Sequence, residues 1–154
     1  MLDKLLFEAE REGIQIIEHD FDINNLKALY IDGVIALNPT ALTSYIEKTC
    51  ILAEEIGHHM TSFGNILDQK SIVNRKQEKR ARNWAYHRLV PLDAFVRAFE
   101  AGVKNRYEFA ELIGVTEDFL ENAIERYRER YGLYTVFNGI YMIYFDPVGV
   151  LKVI

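Results

Sequence analysis

The sequence predicts a mixed α+β chain, with a small sheet near its start, a helical middle and short strands at its end. Three observations carry that expectation. Two four-residue apolar runs, Ala28–Ile31 and Val34–Leu37, flank Asp32-Gly33, a dipeptide suited to the positive-φ positions of a tight hairpin. Apolar residues then recur at helical spacing through residues 43–60 and 74–90. Near the end, LYTVF and IYMIYFD alternate around Asn138-Gly139, as hairpin strands do.

Taken in order, residues 2–12 read as a short amphipathic helix, with Leu2, Leu5, Leu6 and Ala9 on one face and Gly13 as its stop. Residues 14–21 read as a strand, the hairpin follows, and Asn38-Pro39 ends the sheet. The helix over 43–60 carries an apolar arc of Tyr45, Ile46, Leu52, Ala53, Ile56 and Met60, and SFGNILD (62–68) reads as a loop. The helix over 74–90 stops at Pro91, which cannot continue it. A third helix over 92–102 is closed by Gly102. Residues 107–131 read as helix, turn, helix around Gly114-Val115-Thr116, with Thr116 a good N-cap ahead of acidic residues that suit the helix dipole. A last strand, VLKVI, follows Asp146-Pro147.

Composition narrows the function classes. The chain has 154 residues, 18 Lys and Arg against 23 Asp and Glu, and a net charge of −5, which disfavours binding nucleic acid through charge alone. Its single cysteine, Cys50, can form no intrachain disulfide and no cysteine cluster for a metal, which fits a reducing, cytoplasmic location. No run approaches the roughly 20 apolar residues that span a bilayer, and the first residues are acidic where a signal peptide is apolar. No membrane partner is expected.

Chemistry concentrates in Ala53-Glu54-Glu55-Ile56-Gly57-His58-His59. Glu54 and His58 are four residues apart on a helix, the spacing at which one face offers two ligands to one ion. Glu55 sits about 100° further round, placed to reach a water without ligating the ion. In the next long helix, Glu78 shares a stripe with Ala81, Ala85 and Leu89, the face that turns inward. An inward carboxylate needs a partner, either an arginine or a metal held jointly with Glu54 and His58. The bland alternative is an acidic surface helix with a neighbouring histidine. His59 reads as a wall or surface residue, His19 and His87 as structural or solvated, and Cys50 as a small core residue.

With these residues in view, the sequence resembles the ImmA/IrrE metallo-endopeptidases. The resemblance rests on EKTCILAEEIGHHMTSFGNILDQ (47–69), NRKQEKRARNWAYHRLVP (74–91) and YEFAELIGVTEDFLENAIERYRERYG (107–132). Glu78, Ala81, Trp84, Ala85 and Pro91 match in order the family's downstream glutamate, alanine, aromatic and proline pattern. The resemblance implies a zincin-like peptidase core over 1–91, in which a small sheet carries the metal-site helix. It also implies a helix-turn-helix-like and β segment over 92–154, packed with the core as one unit. His58 corresponds to the second metal histidine, Glu55 to the general base and Glu78 to the downstream ligand. Glu54 stands where many members have the first histidine, which makes the donor set harder. The implied cofactor is a divalent metal, Zn2+ first, with Mn2+ or Fe2+ as alternatives. The implied activity is cleavage of a helix-turn-helix repressor of a phage or mobile element.

Two rival readings stand beside it. One is an inactive zincin-like module that grips the repressor without cutting it. The other is a DNA-binding protein, suggested by residues 107–131 and by the six Lys or Arg against one Glu between Arg75 and Arg88. Glu117, Asp118 and Glu121 on the would-be recognition helix repel phosphate and count against direct nucleic-acid binding. The aromatic residues of the last strands read as the core of a small sheet.

Overall fold

The hairpin forms where the sequence places it. In the computed structural model, which describes residues 1–21, 26–61 and 72–154, β2 (Ala28–Ile31) and β3 (Val34–Leu37) pair antiparallel. Asp32 and Gly33 take φ of 47° and 81° in the turn between them. β1 (Gln15–Glu18) adds parallel to β3, so the sheet order is β1-β3-β2. β1 is shorter than the expected 14–21 because its partner strand is: the ladder runs from Gln15 opposite Val34 to Glu18 opposite Leu37 and stops where β3 stops. The expected loop at 62–68 lies outside the described residues.

The folded chain divides into two compact units, Met1–Ala85 and Tyr86–Ile154. In the first, α1 (Leu2–Arg11) and α2 (Tyr45–Thr61) pack on each other and on the sheet. Leu5, Ala9, Ile35, Leu52, Ala53 and Ile56 form its core. Of the expected arc on α2, Leu52, Ala53 and Ile56 are buried, whereas Tyr45, Ile46 and Met60 are exposed. Helical spacing puts residues on one face of a helix; it does not say how far along that face a neighbour covers them. α3 (Ile72–Leu89) buries Ala81, Ala85 and Leu89 and turns Arg75, Lys76, Lys79, Arg80 and Arg82 outward.

The second unit holds α4 (Leu92–Glu100), α5 (Arg106–Ile113), α6 (Glu117–Tyr131) and an antiparallel sheet of β4 (Tyr134–Phe137), β5 (Tyr141–Phe145) and β6 (Val148–Lys152). Thr116 caps α6 by accepting the Phe119 amide, as its sequence position predicts. β6 begins two residues earlier than expected, because Asp146-Pro147 alone makes the turn and Val148 pairs at once with Phe145. Ile143 and Phe145 face the core while Tyr134 and Val136 are exposed, so the strand aromatics divide between the sheet's two faces. Phe95, Phe109, Tyr127 and Phe145 form a cluster of tilted, edge-to-face and stacked rings. His87 lies edge-on to Tyr127. Burial, then Arg126 and Arg130, hold its pKa below the usual 6.5. Among the described residues no helix is long and apolar enough to cross a membrane.

The hydroxyl of Tyr127 donates a buried hydrogen bond of 2.7 Å to the Val90 carbonyl. Tyr127→Phe leaves that carbonyl short of a donor and is expected to cost about 1–2 kcal/mol, read as a lower urea midpoint at unchanged slope.

Candidate functional site

The site is built where α2 and α3 meet inside the first unit. Gly57 lies in the interior of α2, a position where glycine costs about 1 kcal/mol relative to alanine. Its reason is steric: a Cβ there would fall inside contact distance of the Ala81 carbonyl oxygen and stand 3.0 Å from its carbon. The two backbones therefore touch at Gly57 and Ala81. His58 follows Gly57 directly, and Glu78 is one turn before Ala81, so this close approach brings their side chains together. His58 Nε2 lies 3.2 Å from Glu78 Oε2. The other oxygen of Glu78 lies 3.5 Å from the Arg82 guanidinium, one turn along α3. The inward carboxylate thus has two partners, the histidine and an arginine.

Glu54 and Glu55 are half-buried on the same stretch of α2, and His58 is buried. Burial raises the pKa of Glu54, with Glu78 adding to the rise and Arg82 and His58 opposing it. Burial also pushes Glu55 up to about 7; His58 opposes the shift, while Glu54 and Glu78 add to it. Burial works against charging His58, yet the Glu78 hydrogen bond and the Glu55, Glu78 and Glu54 carboxylates outweigh it and raise its pKa. Glu78 is lowered, first by its hydrogen bond to His58. Three carboxylates thus share a poorly solvated patch with one imidazole and one guanidinium.

The donors can be tested against a divalent ion. With metal–ligand bonds of roughly 2.0–2.2 Å at a tetrahedral centre, two donors stand about 3.4 Å apart. The 3.2 Å between His58 and Glu78 is close to that spacing. A patch with more carboxylates than cations also favours an added positive charge. His58 Nδ1 is buried and has no hydrogen-bond partner among the described residues. Among those residues no group of three His, Cys, Asp or Glu side chains is gathered as a metal set. The fold thus sets two donors in place, and Glu54 is coupled to them by charge without completing the set.

The other histidines are placed as follows. His59 Nδ1 lies 2.8 Å from the Tyr30 hydroxyl, which ties α2 to strand β2. His19 packs edge-on to Phe21 at the surface. Cys50 is buried. The sequence marks Gly57 only as a glycine inside a strong helical pattern, and it carries no signal for Tyr30.

Among known proteins, the family model described as Peptidase_M78, the IrrE N-terminal-like domain, matches residues 9–125. No curated protein and no solved structure matches the chain.

Gly57→Ala is expected to force α2 and α3 apart, lower stability by about 1–3 kcal/mol and weaken the His58–Glu78 contact, read by denaturation and by the His58 ring shifts in NMR. The pair also sets a pH dependence in chelator-treated protein. The raised His58 pKa contributes stability that is whole below 6.5 and is lost as pH climbs through the folded value. The lowered Glu78 pKa contributes stability that is whole above 4.5 and is lost as pH falls through the folded value. The stability gap between the parent and Glu78→Gln is therefore expected to be widest between pH 4.5 and 6.5 and to narrow on either side.

Proposed function

The chain belongs to the IrrE N-terminal-like peptidase family, and from that premise we propose that it is a metal-dependent endopeptidase that cleaves a helix-turn-helix repressor of a phage or mobile element, acting in the cytoplasm. The observation that supports this reading best is the direct approach of His58 to Glu78 across two helices, beside the half-buried Glu55. Glu54, His58 and Glu78 are the residues that would hold the ion. Zinc is the first choice, and the carboxylate-rich donors also suit manganese or iron. When bound, such an ion supplies Lewis acidity toward water and a scissile carbonyl.

The chain's own residues do the rest. Glu55 is the base: it takes a proton from water as the oxygen bonds to the peptide carbon, and it delivers that proton to the amine as the C–N bond breaks. Its pKa of about 7 before any cation is added means that it both accepts and releases a proton near neutrality. A cation beside it favours the ionised form needed for the first step. Arg82 holds one oxygen of Glu78, so the other is directed at His58. As an anionic ligand, Glu54 would leave a bound ion less electrophilic than a histidine would, which would suit slow cleavage of one partner better than digestion.

A second reading is an inactive module that binds the repressor without cutting it. It is favoured by the lack of a three-donor group among the described residues. Elemental analysis and a cleavage assay against the neighbouring repressor separate the two. Glu55→Gln is expected to keep its metal and lose about 10²–10⁴-fold in cleavage rate, while His58→Ala and Glu78→Ala lose the metal. Cleavage by Glu55→Gln at the parent rate would remove Glu55 from the chemistry. Metal-free parent protein that binds the repressor and leaves it uncut would select the binding module.

A further inference from the structure

The second unit contains a cavity of about 350 Å³ that takes no part in the site on α2 and α3. Its walls come from α4, the 103–105 segment, the start of α5, Ile124 of α6, and the β5–β6 turn with the start of β6. The inner lining is apolar: Phe95 and Phe109 are almost fully buried, and Ile124, Val148 and Val150 join them. Phe99, 46% exposed, stands at the rim. A volume of this size is at the lower end for small-molecule sites, which are mostly apolar with a few polar groups at fixed places.

The polar groups at the rim are nearly all engaged. Arg106 is paired with Glu121 at 2.8 Å, and Asp146 with Arg128 at 3.3 Å. The Asn105 side chain accepts the Glu108 amide at 2.8 Å. Lys104 is the exception: its backbone amide donates to Glu108, but its exposed ammonium forms no ion pair among the described residues. An apolar chamber with one unspent positive charge at its mouth selects for a molecule that is apolar along its body and anionic at one end. We propose that this cavity binds a small carboxylate with an aliphatic or aromatic body, the body lying among Phe95, Phe109 and Val148 and the carboxylate on Lys104.

The test is a methyl-detected NMR titration of the full chain with octanoate, octanol and octylammonium. Octanoate is expected to shift the methyls of Ile124, Val148 and Val150. It should bind a few-fold more tightly than octanol, the scale of one rim ion pair, and octylammonium should bind most weakly. Lys104→Gln is expected to bring octanoate down to octanol, and Val148→Trp, which fills the chamber, to abolish both at an undiminished melting temperature. Equal binding of all three compounds, or an unchanged preference in Lys104→Gln, would overturn the proposal. So would methyl shifts produced by an apolar peptide but not by octanoate, because the cavity would then be a protein-docking pocket.

Discussion

The candidate site depends on one steric fact, the contact between the backbone at Gly57 and the carbonyl of Ala81. Helices packed through ordinary side chains run 8–10 Å apart. At that spacing a histidine and a glutamate on facing helices meet only if both point into the gap. Removing a side chain at the crossing lets the backbones close, and the residues beside the crossing come within reach of each other. His58 and Glu78 occupy those positions. The glycine weakens α2 locally as a helix, and the pairing it permits is where the chemistry is read.

Closeness then dictates the electrostatics. Four ionisable groups, Glu54, Glu55, His58 and Glu78, are drawn into a patch with little solvent, and each is shifted by at least one of the others. Their shifts differ in sign for physical reasons. Glu78 is more exposed than His58 and gains most from its hydrogen bond, so it stays ionised. Glu55 is governed by burial and repulsion, so it carries its proton to near neutral pH. Two carboxylates of one helix pair thus differ in how readily they hold a proton because their surroundings differ.

The second unit is organised by a different interaction. Its centre is a set of aromatic rings in which Tyr127 contributes both a stacked face and a buried hydroxyl bond to Val90. The helix-turn-helix outline of α5 and α6 belongs to this packing: Phe109, Phe119, Leu120, Ile124 and Tyr127 are among its buried residues. The acidic first turn of α6, Glu117 and Asp118, complements the helix dipole, and it gives no phosphate a positive surface to meet.

By itself the sequence determined the elements whose signals are local. Asp32-Gly33 fixed the first hairpin because both residues tolerate positive φ. Thr116 fixed the start of α6 through its hydroxyl, and the inward stripe of Glu78, Ala81, Ala85 and Leu89 fixed which side of α3 is buried. It also marked Glu54, Glu55, His58 and Glu78 as the residues to watch, because helical spacing is a property of the chain. Only the tertiary structure decided which of them touch. The His58–Glu78 contact spans 20 residues of sequence, and the Tyr30 bond to His59 spans 29. Such pairings are set by how far apart two helices stand and where a strand ends, and no local pattern of side chains encodes either distance.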